Sequence, residues 1–172
     1  MIQSKSSFLC IGLDPDVDRI PSSCGTGVQA METFCKAIID STHDLAIAFK
    51  PNLAFFEQYG SEGWAALERI VAHIPGDCLV IADAKRGDIG NTATRYARAM
   101  FEGLGADAIT VAPYMGEDSV RPFVDFQQGR WTILLALTSN PGAQDFELHG
   151  DPPLFEQVMK RAQTWGGADD VM

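Results

Sequence analysis

Asp83-Ala84-Lys85-Arg86-Gly87-Asp88 sets two carboxylates and an ammonium within six residues, directly after the apolar run Cys78-Leu79-Val80-Ile81-Ala82. Side chains alternate faces along a strand, so Asp83 and Lys85 are expected to point the same way, above Ile81. Two carboxylates crowded against one ammonium call for further positive charge if water is excluded. Lys50, at the end of the apolar run Ala46–Phe49, is placed to supply it. An alternating Lys–Asp–Lys–Asp array fixes each charge, keeps the lysines protonated and pre-places an acid without a metal. The same spacing also fits a structural ion-pair network, and D-x-K-x-x-D alone does not decide between the two.

The elements that must position these charges alternate regularly. Short apolar runs at 8–13, 46–49, 78–82, 108–111 and 131–137 read as buried strands. Helical spacing of apolar residues recurs over 28–39, 62–73, 93–104, 118–126 and 154–165, with Pro75-Gly76 and Gly105 as stops. Five strand-then-helix units with continuously apolar strands imply a parallel α/β sheet covered by helices. A doubly wound sheet and part of an eight-stranded barrel both satisfy that pattern. In either, ligands bind at the carboxyl ends of the strands, where Asp14, Lys50, Asp83, Lys85 and Ser139 fall.

The chain has 172 residues, 46% of them hydrophobic, and a formal net charge of −10. That length predicts one domain over 1–172, and that charge argues against a general nucleic-acid binder. Cys10, Cys24, Cys35 and Cys78 are scattered, with no metal-ligand spacing, which fits a reduced cytoplasmic protein and neither a disulfide framework nor a metal site. The six-residue run Phe8–Leu13 is too short for a membrane span. His43, His73 and His149 lack a partner at i+4 and read as surface or hydrogen-bond-satisfied histidines, and Thr138-Ser139-Asn140-Pro141-Gly142 reads as a turn.

Taken together, Val80-Ile81-Ala82-Asp83-Ala84-Lys85-Arg86-Gly87-Asp88-Ile89-Gly90-Asn91-Thr92, Cys10-Ile11-Gly12-Leu13-Asp14-Pro15-Asp16, Phe49-Lys50-Pro51-Asn52, Val111-Ala112-Pro113-Tyr114-Met115-Gly116 and Leu137-Thr138-Ser139-Asn140-Pro141-Gly142 resemble the orotidine 5′-phosphate decarboxylase family, in its longer bacterial branch. The resemblance runs from about Phe8 to the last residue. It implies a (β/α)8 TIM barrel, of which this chain supplies about the first five β/α units. It also implies cofactor-free decarboxylation of orotidine 5′-monophosphate to uridine 5′-monophosphate, a carbon–carbon lyase reaction. Lys50, Asp83 and Lys85 then match the charged array of one subunit, with Lys85 as proton donor. Asp88, Ile89 and Thr92 match the stretch that reaches the partner's site in a homodimer. Asp14 matches a ribose contact and Ser139 a contact to the pyrimidine.

A full barrel needs eight strands and about 250 residues. The expectation is therefore an N-terminal portion of a longer enzyme, with two bare sheet edges and an open core. The family's phosphate-gripping region falls on no residue of this sequence. A metal-dependent phosphosugar-barrel lyase or aldolase, and a non-catalytic nucleotide-binding α/β module, are the alternatives.

Overall fold

A computed structural model of the chain describes residues 2–126, 128–167 and 169–172. Its residues divide into two compact units, 1–84 with 104–106, and 85–103 with 107–172.

In the first unit α1 (Ile2–Lys5) precedes β1 (Leu9–Leu13), then α2 (Gly27–Thr42), β2 (Ala46–Pro51), α3 (Ala54–Glu57), α4 (Gly60–Val71) and β3 (Leu79–Arg86), whose last two residues pass into the second unit. The strands are parallel: Gly12 pairs with Lys50 and Leu13 with Pro51 between β1 and β2, and Phe49 pairs with Val80 between β2 and β3. Met31, Cys35 and Ile39, spaced four apart on α2, are fully buried, as are Leu67 and Ile70 of α4 and Phe49 of β2. Burying side chains of this size stabilises by about 1.5–3 kcal/mol each, which fixes both helices on the sheet.

In the second unit the end of β3 is followed by α5 (Gly90–Arg98), a π-helical turn (Ala99–Gly103), β4 (Ala108–Val111), α6 (Glu117–Val124), β5 (Trp131–Leu134), α7 (Ala143–Phe146) and α8 (Leu154–Ala162). β4 is buried throughout and pairs in parallel with β5, from Ala108 opposite Trp131 to Val111 opposite Leu134. The wider turn at Ala99–Gly103 explains why one regular helix over 93–104 is not seen. It lets the consecutive residues Met100 and Phe101 both turn inward, and the Phe101 ring lies 5.1 Å from that of Phe126.

Since β3 belongs to both units, each unit by itself shows neighbouring strands following in chain order. Doubly wound sheets reverse strand order at a switch point, so this order selects the barrel type of connection. The outer edge of β5, expected to be bare, is paired instead: Thr132 N donates to Asp170 O at 2.8 Å and Met172 N to Thr132 O at 2.9 Å. Among the described residues no helix is long and apolar enough to cross a membrane.

Candidate active site

The carboxyl ends of the first three strands carry the charges in the first unit. Lys50, next to last in β2, donates from Nζ to Asp83 Oδ2 at 2.9 Å. The Asp83 side chain is 10% exposed and that of Lys50 34%, so a nearly dry carboxylate faces an ammonium that solvent still reaches. Asn52 ties the neighbouring ends together. Its backbone N–H donates to Leu13 O at 3.0 Å and its side-chain amide to Asp14 Oδ1 at 2.7 Å. Leu53 N donates to Asp83 O at 3.2 Å. Gly12 keeps this corner open, because a Cβ there would stand 2.8 Å from Asp14 Oδ2.

Lys85, Asp88, Ile89, Thr92 and Ser139 belong to the second unit. Lys85 departs from the expectation of simple alternation. Its φ is +48°, in the left-handed region, so the strand's period of two stops at Ala84. Asp83 is buried and Lys85 exposed. A non-glycine residue held at such a φ costs about 1–3 kcal/mol and persists only where its surroundings fix it. Here the Lys85 N–H donates to the buried Thr110 Oγ1 at 2.9 Å, and Ala112 N donates to Arg86 O at 2.8 Å. The Arg86 guanidinium lies 5.4 Å from the centre of the Tyr96 ring.

Asp88 Oδ1 accepts the N–H of Ile89 at 2.8 Å, and Ile89, just before α5, is 56% exposed. Thr92 lies exposed in the first turn of α5. Ser139 is five residues past β5, not directly at its end, since the strand stops at Leu134 and not at 137. Just past the strand Leu135 N still donates to Val111 O at 3.0 Å, and Ala136 O accepts from Tyr114 Oη at 2.7 Å. Glu147, just past α7, holds the Ser139 loop: its Oε2 accepts the Thr138 N–H at 2.7 Å. Burial, followed by the nearby Glu147 carboxylate, raises the Tyr114 phenol above its ordinary pKa. Tyr114, Asn140, Phe146 and Glu147 line a cavity of about 480 Å³ beside this loop.

Within their units the structure therefore joins Lys50 to Asp83, and Asp14 to Asn52, and sets Lys85 on Thr110. Asn52, Thr110 and Glu147 are the positioning residues that reading the sequence passes over. Thr110 alone carried a signal, as the single hydroxyl in the apolar strand Ala108-Ile109-Thr110-Val111, where a buried O–H requires a partner. Among the described residues no three His, Cys, Asp or Glu side chains are grouped to hold a metal ion.

The sequence profile of the "Orotidine 5'-phosphate decarboxylase / HUMPS family" matches residues 7–165. An orotidine 5′-phosphate decarboxylase of Bacteroides fragilis is 51% identical over 177 aligned positions, covering 99% of this chain and 64% of the relative. One from Flavobacterium johnsoniae is 49% identical, again with 99% and 64% covered. The solved OMP decarboxylase of Leishmania donovani superposes with a TM-score of 0.88 at 40% identity, covering 99% of this chain and 66% of that one. The chain thus spans a little under two thirds of the length of the curated relatives it matches, and its five β/α units are part of a TIM barrel.

Proposed function

Because the chain belongs to the orotidine 5′-phosphate decarboxylase / HUMPS family, we propose that its strand ends form the charged part of a site that decarboxylates orotidine 5′-monophosphate to uridine 5′-monophosphate, without metal or cofactor. The observation that carries this reading is the 2.9 Å Lys50–Asp83 pair, a third of its lysine side chain open to solvent, at the carboxyl ends of adjacent parallel strands. That edge is where barrels of this type place their chemistry.

Losing CO₂ from C6 of the pyrimidine leaves an electron pair in the ring plane with little resonance relief, so the barrier is high. An ammonium fixed beside C6 stabilises that charge as it develops and then delivers a proton to the same carbon. Lys85 takes this role. Its unusual backbone angle is held by Thr110, so the side chain starts from a fixed base. Asp83 orients the Lys50 ammonium through their 2.9 Å bond, and Asp88 of a second copy adds the second carboxylate of the array. Asp14, steadied by Asn52, faces the ribose, and Ser139, on the loop that Glu147 clamps, meets the pyrimidine. The exposed Ile89 and Thr92, with Asp88, serve the site of a second copy in a homodimer. Both compact units belong to one barrel domain in a cytoplasmic enzyme of pyrimidine synthesis.

The test is loss of the orotate absorbance when orotidine 5′-monophosphate is incubated with this chain, and with the chain extended through strands six to eight. Chelator-resistant turnover in the extended protein is the expected result. No turnover there, or turnover abolished by chelator, overturns the assignment and favours a binding module or a metal-dependent phosphosugar lyase, respectively.

A further inference from the structure

At the amino ends of β2 and β3, away from the strand ends that carry Lys50 and Asp83, a second lysine sits in a tight polar knot. Lys5 Nζ lies 2.7 Å from His43 O, 3.0 Å from Ala46 O, 3.0 Å from Asp77 Oδ2 and 3.1 Å from Cys78 Sγ. The Lys5 side chain is 10% exposed although α1 buries none of its residues, so this side chain helps to fasten α1 to the sheet. Cys78 is buried and its thiol also faces Ala46 O at 3.3 Å. Burial lowers the Lys5 ammonium, but the bonds to Cys78 and Asp77 outweigh it and leave the pKa above the ordinary lysine value.

We propose that Lys5 and Cys78 form an oxidation site at which peroxide converts the thiol to a sulfenic acid and the Lys5 nitrogen captures it as a covalent S–N cross-link. The sulfur attacks the peroxide as a thiolate, and the proton the thiol gives up leaves with the departing hydroxide. In that step the O–O bond breaks, sulfur is oxidised to S–OH, and hydrogen peroxide is reduced to water. The ammonium gives up one proton to solvent, which reaches it beside the exposed Asp77 carboxylate. The amine lone pair then displaces the hydroxyl from sulfur, and the hydroxyl leaves with a second nitrogen proton as water. Two further thiols of a reductant restore the cysteine and the amine. Sulfenic acids condense with a neighbouring backbone nitrogen to a sulfenamide, a reversible product, and the Lys5 amine is placed to do the same. Access comes from local opening of α1, which breaks the Lys5 contacts; peroxide meets Cys78 while α1 is open, and its closing returns the Lys5 nitrogen to the sulfenic acid. The other thiols do not share this arrangement. Among the described residues Cys78 is the one cysteine in contact with a lysine nitrogen, and burial pushes the Cys35 thiol up to about 12.

The experiment treats the 172-residue chain, with Cys10→Ser and Cys24→Ser to silence the more accessible thiols, with hydrogen peroxide and reads intact mass and tryptic peptides. The expected product is lighter by about 2 Da, resists trypsin after Lys5, yields one linked peptide pair holding Lys5 and Cys78, and reverts in dithiothreitol. Lys5→Arg keeps a cation at the knot but forms no such link, so its Cys78 proceeds to the sulfinic acid, a gain of about 32 Da. Circular dichroism verifies that this variant is folded. If it is not, N-acetylation of Lys5 in the folded parent chain supplies the same control. A Cys78 that stays reduced, or that reaches the sulfinic acid equally with and without a free Lys5 amine, overturns the proposal.

Discussion

Lys50 and Lys5 stand at opposite ends of the same pair of strands, each against an acidic partner on the β3 side, yet their surroundings differ. Lys5 meets two carbonyls, a carboxylate and a sulfur, which is more acceptors than an ammonium has protons, and its side chain is almost enclosed. Lys50 meets a single carboxylate among the described residues, and a third of its side chain remains open. An ammonium whose donors are all used is a fastening, because any new ligand has to displace an existing bond. An ammonium with donors to spare beside a desolvated carboxylate is a place for an anion to arrive. The contrast separates the two ends by chemistry before any reaction is named.

The largest test of this contrast is Lys85→Ala against Lys5→Met in the extended enzyme. Removing the proposed donor should lower kcat about a thousandfold or more with an unchanged circular dichroism spectrum, since the lost term acts mainly in the transition state. Lys5→Met should leave kcat unchanged and lower the melting temperature. Near-normal turnover in Lys85→Ala removes the donor assignment. A collapse of kcat in a folded Lys5→Met erases the distinction between the ends.

Lys50→Met sharpens the same comparison through stability. Asp83 would lose the Lys50 ammonium at a nearly dry carboxylate, and since Lys50 is partly exposed the cost should be about 2 kcal/mol, below that of a fully buried pair. Adding Asp83→Asn should restore most of that loss in urea denaturation and restore no activity. Recovery of both would mean that the pair is structural only.

Thr110→Val carries a smaller effect. It leaves the Lys85 N–H without its acceptor, worth about 1–2 kcal/mol, and if the lysine moves with its backbone kcat should fall about tenfold with KM unchanged. Thr110→Ser keeps the hydroxyl and should recover most of the rate. A change in KM alone would place Thr110 in substrate binding.

These three tests also mark where the sequence could be read and where it could not. The strands were legible because each is an apolar run closed by polar residues, and Lys50 and Asp83 were expected together because each ends such a run. The Lys85 backbone was not, since left-handed φ values are signalled by glycine or asparagine and nothing in Ala84-Lys85-Arg86 announces one. Its cause lies 25 positions away in Thr110. The Lys5 knot was hidden for a similar reason: its partners are 38, 41 and 73 residues distant, and α1 has no apolar face to give it away. The Glu147 clamp on the Ser139 loop depends on α7, one turn too short to show a period.

The smallest effect belongs to a third ion pair, on the helices and remote from both strand ends, and it calibrates the other two. Glu32 of α2 accepts from Arg69 of α4 at 2.7 Å and from Lys36 at 2.8 Å, and these bonds, Arg69 first, bring its carboxyl down from 4.5 to about 2. A carboxylate whose folded pKa is depressed adds stability that is fully present above the unfolded value and is lost as pH falls through the folded one. Its contribution is therefore complete above pH 4.5 and fades towards pH 2. Arg69 is half exposed, so solvent and salt screen the pair and the contribution is modest. Glu32→Gln should melt slightly below the parent at neutral pH, with the gap closing as pH drops through that window and shrinking with added salt. Lys5→Met should lose only the share of its deficit that comes from Asp77, whose carboxyl Lys5 holds below its ordinary range. It should keep the share from the two neutral carbonyls through the same acid range, with less sensitivity to salt. Equal pH and salt responses in the two variants would show that the Lys5 knot is no more enclosed than an ordinary helix-surface pair.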